Sequence, residues 1–401
     1  TLTTPDLEYD VTNKIGTYKN GGKVVNKKSV LTSREGIYYA DLRDIYFKRN
    51  VELKDPGYYL KSDSLWYNTE TQLARFIAET YIRDSSNRVI RTREGFYDLA
   101  NSHAEFFSRT VVEDGSMVIS ANEMANDEKR KIIQLRGQAV VRDTAKGTVI
   151  LSEEMFIDQN TDAVLATKRP LMIIKQDEDS IYVTADTLFS GRLTELYKND
   201  TAALAKLGLQ EKDSANRYFE AYRHVRVFSD SMQSVSDSLF YSFKDSTFHL
   251  YYDPVVWNKQ NQITGDTIFL YTKNKKADRA RVVENSFIVS EVEPGVFNQI
   301  KSTRMDAFFK EGTIDSVRAK GLAESVYFLQ DDDSAYTGVN QTASDAIDIY
   351  FEKGELYKVI FRSDLKGTLY PISQKGPAEA RLPEFRWLVD RRPKTKYELF
   401  E

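Results

Sequence analysis

A phrase of the form apolar-x-small-acid-x-apolar-x-apolar recurs along this chain at intervals of roughly thirty residues, so the chain folds as stacked copies of one supersecondary unit. The phrase is clearest at Leu60-Lys61-Ser62-Asp63-Ser64-Leu65-Trp66-Tyr67. It returns at Val183-Thr184-Ala185-Asp186-Thr187-Leu188, at Val235-Ser236-Asp237-Ser238-Leu239-Phe240-Tyr241 and at Ile263-Thr264-Gly265-Asp266-Thr267-Ile268-Phe269-Leu270. Weaker copies are Arg34-Glu35-Gly36-Ile37-Tyr38-Tyr39, its near twin Arg93-Glu94-Gly95-Phe96-Tyr97, Ala121-Asn122-Glu123-Met124 and Glu153-Glu154-Met155-Phe156-Ile157. The apolar anchors run Leu7, Ile37, Leu65, Phe96, Met124, Met155, Leu188, Leu239, Ile268, Met305 and Ile347, which makes about eleven repeats.

Within the phrase, Leu60 and Ser62 share one side-chain parity and Leu65 and Tyr67 the other. A regular strand would throw the two halves onto opposite faces. All four face inward only if the strand bends or bulges at Ser62-Asp63. A small residue permits the bend, and a carboxylate can accept hydrogen bonds from local N–H groups. Asp63, Asp186, Asp237 and Asp266 are therefore expected as structural corners, in preference to a catalytic or cation-binding row, because acid–base chemistry needs convergent groups.

Polar turns such as Asn68-Thr69-Glu70-Thr71 and Gln159-Asn160-Thr161-Asp162 separate the phrases from returning apolar runs, so each repeat reads as an antiparallel pair of strands. The abundance of Tyr (24) and Phe (22) suits pleated surfaces. The predicted fold is all-β and elongated, each pair advancing the stack by ~10 Å. Repeats are expected over residues 1–190 and 218–375. Residues 191–217 form an insertion or mobile loop whose Ala202-Ala203-Leu204-Ala205-Lys206-Leu207 run is weakly helical. Residues 376–401 form a cap or docking tail, since exposed strand edges need covering.

Several function classes lose their signals. The net charge of −4 comes from interspersed acids and bases, without the basic stripe that nucleic acid requires. No apolar run approaches the ~18 residues of a spanning helix. The absence of cysteine removes disulfides, thiolate metal sites and cysteine nucleophiles. His103, His224 and His249 have no partner at metal-ligand spacing, and no phosphate-loop, dinucleotide or nucleophile-elbow phrase occurs. No metal or cofactor is expected, and no enzyme activity. The acid runs Asp177-Glu178-Asp179 and Asp331-Asp332-Asp333 lack the EF-hand spacing and read as solvated hairpin tips. The beginning Thr1-Leu2-Thr3-Thr4-Pro5 reads as a processed terminus.

What remains is an inward stripe: Leu65, Tyr67, Phe76, Phe96, Phe106, Met124, Met155, Leu165, Leu188, Leu239 and Ile268. It serves either as a closed core or, if two sheets splay apart, as the lining of an apolar groove that buries acyl chains at ~0.8 kcal/mol per CH₂. Periodicity does not separate the two.

The repeated small-Asp-x-Leu-x-Tyr phrase, with intervening strands such as Asn50-Val51-Glu52-Leu53 and Gly137-Gln138-Ala139-Val140-Val141, resembles the OstA/LptA-like lipopolysaccharide-transport family. The resemblance runs roughly from Thr1 to Ser290. The length and the tail Phe385-Arg386-Trp387 with Arg392-Pro393 are similar to the long OstA-like proteins of Bacteroidetes. It implies a twisted, V-shaped β-jellyroll, a periplasmic location after signal cleavage, possible association with the outer membrane, and an apolar interior that shields lipid A acyl chains. The implied partners are lipopolysaccharide, other transport jellyroll modules joined by edge-strand pairing, and further copies joined end to end. It supplies no catalytic residue. The competing reading is a structural β-solenoid scaffold with a closed core.

Overall fold

Strands that pass from one sheet to another part-way along their length organise the fold. The computed structural model describes residues 1–175, 180–210, 213–273, 276–331, 335–352 and 355–400. The acid run at 177–179, and residues 332 and 333 of the second run, lie outside them. The chain divides into two units, Thr1–Met172 and Ile173–Glu401. Each is built from antiparallel strands.

In the first unit, Asp44–Lys54, Tyr58–Asn68, Ile132–Asp143 and Thr148–Asp158 each contribute one half to an upper sheet and the other half to a lower sheet. Shorter strands such as Thr80–Asp84 and Leu73–Phe76 belong to one sheet only. Register places like positions directly opposite one another. The upper sheet carries the row Leu31, Leu53, Leu60, Ile82, Ile90, Val112, Ile119 and Val141. The lower sheet carries Phe47, Leu65, Phe76, Gly95, Phe106, Met124, Leu135, Met155 and Ala166. These rows alternate with exposed positions along each strand, as expected where one face of a sheet is buried.

The change of parity in the acidic phrase is real, since Leu60, Ser62 and Leu65 are all buried. The extra residue, however, is on the neighbouring strand. Pairing of Asp44–Lys54 with Tyr58–Asn68 jumps from Lys48 opposite Ser64 to Val51 opposite Ser62, so Arg49 and Asn50 together face Asp63. Two residues against one is a β-bulge. Both have positive φ, 60° and 51°. The same left-handed pair recurs at Gly137-Gln138, Lys168-Arg169, Arg223-His224, Tyr252-Asp253, Glu284-Asn285 and Ser363-Asp364. An L-residue held there costs roughly 1–2 kcal/mol, which the corner must offset with hydrogen bonds.

The acids of the phrase supply those bonds. The N–H groups of Asp186, Asp237 and Asp266 donate to the carbonyls of Arg223, Tyr252 and Glu284, the first residue of each left-handed pair. The Asp63 carboxylate accepts from Asn50 N–H at 3.5 Å, that of Asp266 accepts from Asn285 Nδ2 at 3.0 Å, and that of Asp186 lies 3.1 Å from His224 Nδ1. Small residues beside them form a buried seam of hydroxyls. Ser62 pairs with Thr80 at 2.9 Å and Thr92 with Thr110 at 2.8 Å, while Ser62 and Thr110 also donate to carbonyls of Ser64 and Ser108.

The second unit repeats the plan with longer strands: Lys276–Glu293, Val296–Lys310, Thr313–Gln330 and Tyr336–Glu352. Its lower sheet carries the row Leu188, Ala221, Leu239, Leu250, Ile268, Val282, Met305, Ala319 and Ile347, all buried. Residues 192–216 contain two short helices, Leu193–Leu196 and Thr201–Leu207. The second is capped by Asp200 and ended by left-handed Gly208. Asn216 ties the segment back by exchanging hydrogen bonds with Thr194. No described helix is long and apolar enough to cross a membrane.

Candidate functional site

The two rows of the first unit do not close on each other along their whole length. Between them lies a cavity of about 960 Å³, at the upper end of the range for small-molecule sites. Its upper wall is Leu31, Leu53, Leu60, Ile82 and Ile90, and its lower wall is Phe47, Leu65, Tyr67, Phe76 and Phe106. Phe76 and Phe106 stack at 6.2 Å on either side of Gly95. A Cβ on Gly95 would come within 2.3 Å of the Glu105 carbonyl oxygen and 2.9 Å of the Phe106 ring, so only glycine lets the rings approach.

Polar residues gather at one margin of the cavity: Asp55, Tyr58, Asp84, Arg88, Tyr97, Glu128 and Lys131. Arg88 lies 2.9 Å from Asp84 and 3.7 Å from Glu128, and the Tyr97 hydroxyl donates to Glu128 at 3.1 Å. Burial pushes the Tyr97 phenol up to about 12, with the Glu128 carboxylate adding to the effect. Tyr58 is pushed up to about 12 by burial and then by Asp55. Both phenols are therefore neutral donors at physiological pH. In the wall, the buried Asn126 Oδ1 has no hydrogen-bond partner among the described residues, which leaves one acceptor open.

The stripe read from sequence divides among different surroundings. Leu65, Tyr67, Phe76 and Phe106 line the cavity. Met124 and Met155 are buried further along the same row. Leu188, Leu239 and Ile268 are buried in the second unit. Phe96 and Leu165 are corrections. Phe96 stands opposite Arg75 and Glu105 on the outer face, and Leu165 is exposed opposite Phe156. The inward positions there are Gly95, and Val164 with Ala166, because a shift of one residue exchanges the faces. The repeat alignment did not bring out the second wall: Leu53, Ile82 and Ile90 lie outside the phrase, and only their alternation marks them.

A family model described as OstA-like protein matches residues 1–63. The matched residues include Leu31, Phe47, Leu53 and Leu60 of the cavity walls, and the match is shorter than the Thr1 to Ser290 span of the repeat resemblance. No curated protein matches the chain. Among solved structures, one similar to this chain is LptH, the LptA-homologous periplasmic component of the lipopolysaccharide transport device from Pseudomonas aeruginosa. It is 13% identical, with a TM-score of 0.26, over 34% of this chain and 82% of that one.

No group of three or more His, Asp or Glu among the described residues is placed to hold a metal ion, and the sequence has no cysteine. The site offers burial between its apolar walls and hydrogen bonding at its margin.

Proposed function

We propose that this chain is a periplasmic lipopolysaccharide-binding and transport protein of the long OstA-like kind, and that the first unit shields lipid A acyl chains between its sheets. The observation that carries this reading is the apolar cavity of about 960 Å³ with its polar margin. An amphiphile suits it: methylenes enter between the walls, while Arg88, Lys131, Tyr58 and Tyr97 meet polar groups at the margin. Burial of about ten methylenes is worth on the order of 8 kcal/mol, enough for reversible capture without covalent chemistry. The OstA-like match falls on strands that build this cavity, which supports the family reading independently of its shape. Pairing of terminal strands with like modules belongs to the same proposal.

The test is photocrosslinking. A benzophenone side chain at Tyr67 or Ile82 labels lipopolysaccharide in cells, whereas one at outward-facing Phe96 does not. Absence of adducts at both inward positions sinks the proposal.

The scaffold reading draws support from the second unit, where the inward row is buried from Leu188 to Ile347. On that reading the second unit carries partners and the first carries lipid.

A further inference from the structure

We propose that the outer face of the second unit's upper sheet is a peptide-recognition site whose ligand is the C-terminal segment of this chain, held by side-chain amides and exchangeable between copies.

A single cross-strand row runs over this face, and glutamine alternates with apolar residues along it. Gln233 stands opposite Trp257, Trp257 opposite Gln262, Gln262 opposite Val289, Val289 opposite Gln299, Gln299 opposite Val326 and Val326 opposite Gln341. A glutamine therefore recurs on every second strand, about 10 Å apart. The C-terminal segment crosses the strands and meets each in turn. Lys375 Nζ donates to Gln341, and Arg392 Nε donates to Gln233, each at 2.7 Å. Between them the contacts become two-pronged and identical in form. Gln299 Nε2 donates to the Ala380 carbonyl at 2.9 Å, and its Oε1 accepts from Leu382 N–H at 2.8 Å. Gln262 does the same with the Arg386 carbonyl and the Leu388 N–H, both at 2.7 Å.

Carbonyl of residue i with N–H of residue i+2 is the pair that a neighbouring β-strand would satisfy. Here a planar side-chain amide takes the strand's place. Gln262 and Gln299 are each only 1% exposed, so without these bonds the Gln262 amide and the Gln299 Oε1 would be unsatisfied beneath the segment, while Gln299 Nε2 would keep only its bond to the Phe297 carbonyl at 3.1 Å. The apolar members of the row receive side chains. Leu388 packs against a cluster of Val235, Val255 and Trp257, while Leu382, Phe385 and Trp387 pack against a cluster that includes Val289, Phe297 and Val326. Charges fix direction: Arg391 reaches Asp253 at 2.6 Å and Lys301 reaches Glu384 at 2.6 Å.

Because side chains make these contacts, the segment adds no strand, and its departure breaks no strand pairing. It is attached through the turn at Ser373 and Gln374, both exposed. A second copy offers the same segment to the same face. This site is independent of whatever the first unit's cavity binds.

The test uses the full chain with a protease recognition sequence inserted between Ser373 and Gln374. After cleavage the segment co-elutes with the body on size exclusion, and a fluorescein-labelled peptide of residues 376–400 replaces it with saturable binding. Gln262→Ala and Gln299→Ala each weaken the labelled peptide at least tenfold, whereas Gln134→Ala in the first unit leaves it unchanged. Failure of the peptide to bind the cut chain, or equal binding to the Gln262→Ala chain, overturns the proposal. If the insertion prevents folding, amide exchange on the uncut chain decides. Residues 380–392 exchange faster in the Gln262→Ala/Gln299→Ala chain, and unchanged protection there overturns the proposal.

Discussion

Arg88 approaches Glu128 to 3.7 Å at the margin of the first unit's cavity, with Arg88 on the turn after an upper-sheet strand and Glu128 on the turn after a lower-sheet strand. The pair joins the free ends of the two sheets, and Tyr97 reinforces it from the lower side. A partly exposed ion pair of this sort contributes at most about 1 kcal/mol to stability. Its larger expected effect is on access to the space behind it. Replacing Glu128 by Ala should shift the unfolding free energy by less than about 1 kcal/mol, while stopped-flow uptake of the apolar fluorophore N-phenylnaphthylamine accelerates several-fold. Uptake that stays at the original rate would show that the pair does not gate the cavity.

The phenol of Tyr97 gives that margin an alkaline signature. Burial, then Glu128, raises it to about 12 from an ordinary value of 10.0. Between those values the unfolded chain loses the proton while the folded chain keeps it, so folding is progressively disfavoured. The contribution is intact below pH 10 and is lost as pH rises toward 12. Urea midpoints measured from pH 9 to 11.5 should therefore fall less steeply for Tyr97→Phe. Only part of the slope is removed, because Tyr58, Tyr218 and Tyr222 are raised to about 12 as well. An unchanged slope would mean that Tyr97 ionises as freely folded as unfolded.

Gly137 opens one of the left-handed corner pairs, with φ of 70°. A Cβ there would meet the Asn122 side chain at 3.1–3.2 Å. Asn122 N–H also donates to the Gly137 carbonyl, so the alanine cannot move away without disturbing that bond. Gly137→Ala should destabilise the chain by about 1–2 kcal/mol in chemical denaturation. Asn50→Gly, at the second place of an earlier corner pair, should be neutral to within about 1 kcal/mol, since it relieves φ strain while loosening the unfolded chain. A Gly137→Ala chain as stable as the parent would show that the corner adjusts freely.

The legibility of this fold follows from where its constraints lie. Leu65, Phe76, Phe106, Met124 and Met155 were readable because the lower row advances by simple alternation from the acidic phrase. Phe96 was misplaced by one residue because Arg93-Glu94-Gly95-Phe96-Tyr97 offers a large side chain beside a glycine. The inward slot belongs to the glycine, which makes room for Phe76 and Phe106. The bend was read in the strand that carries the acid, whereas the extra residues are Arg49 and Asn50. Asn50, His224, Asp253, Asn285 and Asp364 at the second place of the pairs are residue types that tolerate left-handed backbone, but the first places, among them Arg49, Lys168, Tyr252 and Glu284, carry no common mark, so tertiary pairing selects the conformation there. The glutamine row was invisible for another reason: its members are 29 to 42 residues apart, and the segment they hold lies up to 159 residues further on. The open cavity could not be read at all, because one inward pattern serves a hollow between two sheets and a closed core alike.

The hydroxyl seam can be separated into its pairs. Thr92 and Thr110 are both buried, share a hydrogen bond at 2.8 Å, and Thr110 donates to the Ser108 carbonyl. Thr110→Val keeps the shape but leaves Thr92 and a carbonyl short of a partner, which should destabilise by about 1–3 kcal/mol. Thr92→Val/Thr110→Val should recover part of that loss, because no hydroxyl of the pair remains unpaired. A double-mutant cycle in urea reads the coupling. Strict additivity would mean that the two hydroxyls act independently.

In the second unit Asp348 is clamped by two arginines, accepting from Arg318 Nε at 2.7 Å and from Arg362 Nε at 2.8 Å. Its side chain is 3% exposed, whereas the arginines are about half exposed. Burial alone would raise the carboxyl, but the hydrogen bonds from Arg318 and Arg362 together outweigh it and hold the group below its ordinary 3.8. The sign follows from proton binding. At acidic pH the unfolded carboxylate takes up a proton before the folded one does, so the clamp's contribution is complete above the ordinary carboxylate range and is lost as pH falls through it toward the lowered folded value. Asp306, between Arg281 and Arg304, is lowered in the same way and adds to the same window. Asp348→Asn removes the charge while leaving two guanidinium groups side by side. It should destabilise by about 2–4 kcal/mol at pH 7, toward the lower part of the range for a broken buried pair because the arginines remain partly hydrated. The difference between parent and variant should shrink as the pH is taken from 5 to 3. A variant whose deficit is constant over that interval would assign the clamp to packing and not to charge.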